Sequence, residues 1–119
     1  MAKFVDGYVL PLPKKKVAAY RRMATRAGKV WRDHGALEFR ECVGVDLKVE
    51  WGPTFPGQLK VKRNETVVFS WIVFKSRADR DRINAKVMKD PRLAKMMKEP
   101  MPFDGKRILY GGFRAIVDL

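Results

Sequence analysis

TVVFSWIVF, Thr66 to Phe74, leads through Lys75 into SRADRDRINAKVMKD, Ser76 to Asp90. A strand alternates its side chains between two faces. Val68, Ser70, Ile72 and Phe74 therefore point one way, and Val67, Phe69, Trp71 and Val73 the other. Both faces are apolar and both need cover, yet a chain of 119 residues has helices enough for only one. The expected cover for the second face is another copy of the protein. The charged stretch that follows reads as a helix. Ser76 stands at its N-cap and Asp79 favours its positive end. Ile83 and Val87 turn inward, and the helix ends near Asp90–Pro91.

Working outward, Phe4 to Leu12 reads as a strand ended by Pro11 and Pro13. Lys15 to His34 carries a helical stripe, with Val17, Tyr20, Ala24, Ala27 and Trp31 at spacings of three and four. Gly28 weakens that helix by about 1 kcal/mol relative to Ala, and Gly35 stops it. Ala36 to Val45 is a second strand. Asp46 to Asn64, with two prolines and two glycines, reads as a long connection with an extended piece around Leu59 to Val61. PRLAKMMKE, from Pro91, offers Leu93, Met96 and Met97 as an apolar patch. Pro100, Pro102 and Gly105 mark a turn, and Lys106 to Asp118 is the last strand. The order βαββαβ implies an α+β, ferredoxin-like fold: a four-stranded antiparallel sheet with both helices on one face, one domain over residues 1–119.

Hydrophobic residues make up 46% of the chain, enough for a packed core. The longest apolar run is broken by Ser70 and falls short of the ~18 residues of a membrane span, so no membrane partner is expected. The N-terminal stretch has its basic run after its apolar part, the reverse of a signal peptide. Cys42 is the single cysteine and His34 the single histidine. They allow neither an internal disulfide nor a four-ligand zinc site, and a reducing cytoplasm is the expected location. The charge stands out: 26 Lys and Arg against 13 Asp and Glu leave a formal +13. Such a field attracts polyanions without specifying which.

Three segments carry a family resemblance: FVDGYVLPLPKKKVAAYRRMATRAGKVWRDHGALEFRECV, the third strand with its helix through NAKVMKDPRLAKMM, and MPFDGKRILYGGFRAIVD. Together they resemble the YbaA-like family, and DHGALE, NAKVMKDPRL and MPFDGKR keep both order and spacing. The resemblance spans nearly the whole chain apart from Asp46 to Asn64. It implies a dimeric α+β barrel, a homodimer whose two open sheets face each other. The wider superfamily includes cofactor-free monooxygenases, haem-binding enzymes and enzymes that degrade small molecules. No one cofactor or reaction follows from it.

The residues themselves offer two kinds of site. His34, at the end of the first helix, reads as a general base at the rim of a helix–sheet cleft or as a cationic group completing a helix C-terminus. Asp6 reads as a buried catalytic carboxylate or as the ion-pair partner of Arg40, Arg107 or Arg114 from neighbouring strands. Tyr8 shares its face. Asn84 lies on the helical face of Arg80, where it orients a ligand carbonyl or fixes an interface. Trp31, Tyr20, Phe69, Trp71, Tyr110 and Phe113 line an aromatic pocket or belong to the core. The binding set is therefore Tyr8, Trp31, Asn84 and Tyr110, with His34 and Asp6 as the catalytic candidates. Glu38 and Glu41, three apart on a strand, face opposite ways and form no carboxylate pair. Gly111 and Gly112 suggest a bulge or the close approach of another backbone.

The alternative is a surface for RNA or another polyanion on the basic first helix, with Lys15, Arg22, Arg26 and Lys29. The topology is also that of the RNA-recognition motif, but TVVFSWIVF lacks that motif's glycine and basic start. A plain interaction module is the third possibility. Phosphate loops, HExxH, CxxC and GxSxG are all absent from the sequence.

Overall fold

A computed structural model of the chain describes residues 2–119. Strand β1 spans Phe4–Pro13, helix α1 Val17–Asp33, strand β2 Glu38–Val43 and the short helix α2 Phe55–Gln58. Strand β3 spans Glu65–Phe74, helix α3 Arg77–Met88, helix α4 Pro91–Met97 and strand β4 Leu109–Arg114. The four strands form one antiparallel sheet in the order β2-β3-β1-β4, as expected for the ferredoxin-like fold.

The register divides the side chains cleanly. Phe4 pairs with Phe74, Phe39 with Ile72, and Tyr8 with Tyr110, so these residues share the helix-covered face. Val68, Ser70, Ile72 and Phe74 of β3 are all buried there, as the alternation predicts. Leu12, Val30, Ile83 and Val87 complete the centre of the core. The opposite face carries Val5, Val9, Phe69, Trp71, Val73, Leu109 and Phe113, and the single turn of α2 meets it at Phe69. Phe69, Leu109 and Phe113 are 46%, 58% and 60% exposed.

Helix α1 packs closely because of a glycine. A Cβ on Gly28 would lie 2.7 Å from the Phe39 ring of β2, so the residue that weakens the isolated helix lets it approach the sheet. Of the expected inward stripe, Tyr20 and Ala24 are buried, joined by Gly28 and Val30, while Val17, Ala27 and Trp31 are half-buried. Helix α3 begins at Ser76, whose hydroxyl accepts from the Asp79 amide at 3.1 Å. Helix α4 begins at Asp90, whose carboxylate accepts from the Arg92 amide at 2.9 Å.

Several expectations need correction. The extended piece at Leu59–Val61 is absent, and helix α2 stands just before it. Thr54 accepts from the Gly57 amide at 3.0 Å, and Pro56 suits a first helical turn. Its Phe55 ring meets Phe69 edge-on at 6.4 Å. The last strand is shorter than Lys106–Asp118. Asp104 caps a 3₁₀ turn over Gly105–Arg107, and pairing stops at Arg114 because its partner, Phe4, begins β1. Strand β2 is trimmed from Ala36–Val45 to Glu38–Val43. Met97 is exposed, leaving Leu93 and Met96 as the buried face of α4. No bulge occurs at Gly111–Gly112, where the register with β1 is unbroken. The close approach is by side chains instead: a Cβ on Gly112 would lie 2.7 Å from the Phe4 ring and 3.2 Å from the Arg80 guanidinium.

Candidate functional site

Five of the six predicted site residues meet around one carboxylate. Asp6 sits near the start of β1, fully buried, opposite Gly112 of β4, which leaves space above it. Into that space α3 sends Arg80, whose guanidinium donates to Asp6 Oδ1 at 2.7 Å. The Tyr110 hydroxyl donates to the same oxygen at 3.1 Å. The Asn84 amide donates to Oδ2 at 3.4 Å, and its carbonyl accepts from the Trp31 indole at 2.9 Å. Tyr8 completes the group by packing its ring 5.0 Å from that of Tyr110. Arg80 also covers the Phe4 ring at 4.6 Å and pairs with Asp81 at 2.7 Å.

The ion-pair reading of Asp6 holds, but with a different partner. Arg40 lies on the far face of the sheet over Trp71, Arg107 pairs with Glu65 at 2.7 Å, and Arg114 is exposed. The strands set side-chain direction, and none of those three arginines shares the buried space beside Asp6. Arg80 does, because α3 crosses that end of the sheet.

His34 is elsewhere. Its Nε2 lies 2.8 Å from Asp90, the cap of α4, and no hydrogen bond joins it to the Asp6 group. Arg92 holds the same Asp90 carboxylate at 2.9 Å. The hydrogen bonds from Arg92 and His34 hold Asp90 well below the usual carboxylate range. His34 thus links the end of α1 to the α3–α4 junction.

Between α1 and the sheet lies an inner cavity of about 170 Å³, bounded by Tyr8, Tyr20, Trp31, Phe39, Glu41 and Phe103, among others. An outer groove of about 730 Å³ between α1 and the edge strand β2 shares Tyr20, Ala24, Phe39 and Glu41 with it. The shared polar pair is tight: the Tyr20 hydroxyl donates to Glu41 Oε1 at 2.7 Å. Burial pushes the Glu41 carboxyl above its usual range, opposed in part by the hydrogen bonds from Tyr20 and Ser70. Burial, and then the Glu41 charge, push the Tyr20 phenol well above its usual range. Tyr8 is raised in the same way, by burial first and the Asp6 charge second.

Glu41 was missed at the sequence level, where only its lack of a carboxylate partner was weighed. The signal was its strand parity. Glu41 falls between Phe39 and Val43 on the helix-facing side of β2, an ionisable group in an apolar row. The predicted aromatic pocket also splits. Tyr20 and Trp31 face the cavity and Tyr110 the Asp6 group, whereas Phe69 and Phe113 stand on the open face.

The basic residues Lys15, Arg22, Arg26 and Lys29 are all exposed. They do not act as one free set: Arg26 forms a two-pronged pair with Glu99 at 3.0 and 3.3 Å, and Lys29 borders the groove. Among the described residues no cluster of His, Cys, Asp and Glu has a metal-binding arrangement, and no helix is long and apolar enough to cross a membrane.

Residues 3–105 match the model of a family described as "Protein of unknown function (DUF1428)". The chain is 46% identical over 116 residues to the "Uncharacterized protein YbaA" of Escherichia coli K12, covering 98% of both chains. The YbaA protein of Shigella flexneri matches to the same extent. A NIPSNAP family protein of unknown function from Agrobacterium tumefaciens superposes with a TM-score of 0.60 at 19% identity, over 96% of this chain and 88% of that one. A dimeric ferredoxin-like protein from an uncultured marine organism gives 0.58 at 12% identity, over the full length of both. At these identities the two structures share the fold alone.

Proposed function

This chain belongs to the DUF1428 family, and from that premise we propose that it works as a cytoplasmic homodimer of single-domain subunits, binding or converting a small molecule in the cleft between α1 and the sheet. The dimer rests on the uncovered apolar face of the sheet. Exposed contiguous apolar surface of this kind marks an interaction site, and Phe69, Trp71, Leu109 and Phe113 supply aromatic and aliphatic anchors for a second copy. The single unpaired Cys42 suits a reducing compartment.

The small-molecule reading is carried by one observation: the Tyr20–Glu41 pair, with its half-buried carboxyl of raised pKa, lies on the wall shared by an apolar inner cavity and a larger groove. Pockets that bind organic ligands combine apolar walls with a few convergent polar groups. A carboxyl pushed toward the working pH is suited to give or take a proton. In this reading Glu41 is the acid–base group and Tyr20 the hydrogen-bond donor that orients it. Tyr8 and Trp31 form the inner wall, and Asp6, through Tyr110 and Asn84, is a positioning residue behind it. His34 is a structural link.

A thermal-shift screen of diverse small molecules tests this. The expected result is a set of compounds that raise the melting temperature of the wild type and lose that effect in Glu41→Gln and Tyr20→Phe. If no compound shifts the wild type, or every hit shifts both variants equally, the cleft is not the site.

A further inference from the structure

We propose that the cleft's ligand is an amphipathic organic anion, with an apolar body in the groove and an acidic head at its rim between Arg21 and Lys29. The inference rests on the small-molecule reading above and names its ligand class. The groove of about 730 Å³ falls in the range that encloses a sizeable organic molecule. Its walls include Leu12, Val17, Ala24, Val68 and the Phe39 ring, all apolar.

The rim has the opposite character. Arg21, Lys29 and Arg32 of α1, all three exposed, border the groove. Arg32 is committed to the backbone carbonyls of Ala36 and Leu37. Among the described residues Arg21 and Lys29 have no ion-pair partner. Their eight-residue separation sets them about 12 Å apart along the helix axis, so a head group between them lies in front of both. The acids do not cancel this charge. Asp33 at the mouth is taken by Arg92 at 2.6 Å, and Glu41 is turned inward against Tyr20. Two uncommitted cations above an apolar trough complement one negative head on a greasy body. A neutral ligand would leave them unused, and a cationic one would be repelled.

Calorimetric titration of the full chain with decanoate, decan-1-ol and decyltrimethylammonium separates the possibilities. Decanoate is expected to bind at least about tenfold more tightly than decan-1-ol, the worth of a charge-assisted hydrogen bond. The cationic amphiphile is expected to bind most weakly. The preference for decanoate over decan-1-ol should vanish in the Arg21→Ala/Lys29→Ala double variant, with the circular dichroism spectrum and melting curve showing that the fold is kept. It should survive in Lys86→Ala/Lys89→Ala, which removes equal charge from exposed positions on α3. Equal affinity for all three probes, or a preference that survives loss of Arg21 and Lys29, overturns the anion assignment and leaves the cleft standing. Binding of none of the three also overturns it, and the thermal-shift screen then decides the cleft separately.

Discussion

Asp6 and Glu41 are both carboxylates on the inward side of a strand, yet their surroundings give them opposite characters. Asp6 receives hydrogen bonds from Arg80, Tyr110 and Asn84 and is held by a cation. Asp6→Ala would leave the Arg80 guanidinium, only 14% exposed, beside an apolar ring with the exposed Asp81 as its remaining counter-charge. Breaking such a pair costs about 3 kcal/mol, at the lower end of the range for buried pairs because one edge of Arg80 still reaches water. A matching fall in the urea midpoint is the expected result. Glu41 has no cation, so its charged form is what folding disfavours. Its folded pKa lies above the unfolded one. Its contribution is therefore complete below the ordinary carboxylate pKa and is lost as pH rises through the raised value. Glu41→Gln should gain on the wild type as pH rises above the ordinary carboxylate pKa in paired urea titrations, and a pH-independent difference would contradict the assignment. Parity along the strands put Asp6 on the face of Phe4 and Tyr8 and set Glu41 opposite to Glu38. It could not supply Arg80 or Tyr20 as partners, because those arrive from helices 74 and 21 residues away in sequence.

At the level of elements, apolar patterning located β1, α1 and β3, while α3 was marked by its charged run, its Ser76 cap and the inward pair Ile83 and Val87. The connection from Asp46 to Asn64 has no such pattern. Its one helical turn depends on a threonine cap and a proline at the first turn, which are local devices without periodicity. Propensity also misjudged Gly28 by treating α1 as an isolated helix. Gly28→Ala gains about 1 kcal/mol of helix propensity. The new methyl, however, must push the Phe39 ring out of a 2.7 Å overlap, an overpacking cost of roughly 1–3 kcal/mol. The net expectation is a modest loss of stability by thermal denaturation. It should become a gain when Phe39 is replaced by Leu in the same chain.

For the whole molecule, the two sides of the sheet have different roles. Cations crowd the helices, and the bare face is mainly apolar, its Arg40 and Glu38 pairing with each other at 3.5 Å, so a second copy would bring the mainly apolar sides together and leave most of the +13 charge of each chain facing outward. Phe113→Glu places a charge on the β4 edge of that face at a side chain already 60% exposed in the single chain. Light scattering is expected to show the wild type at twice 13.7 kDa and the variant at 13.7 kDa with an unchanged circular dichroism spectrum. A wild type that runs as a monomer would remove the dimer altogether. The ferredoxin-like outline was legible because a strand apolar on both sides admits few architectures. The cleft was not, since alternation states which way a residue points and not whether the space beyond it is filled.

The three tryptophans sit where an optical reporter is most useful. Trp31 is bonded to Asn84 at the wall of the inner cavity, Trp71 lies on the bare face with its indole bonded to Glu38 at 3.0 Å, and Trp51 is 82% exposed in the connecting loop. Retaining one at a time, with phenylalanine at the other two, makes the emission of the first a gauge of cleft occupancy and that of the second a gauge of association. The third supplies a solvent baseline against which both can be read, without any added dye.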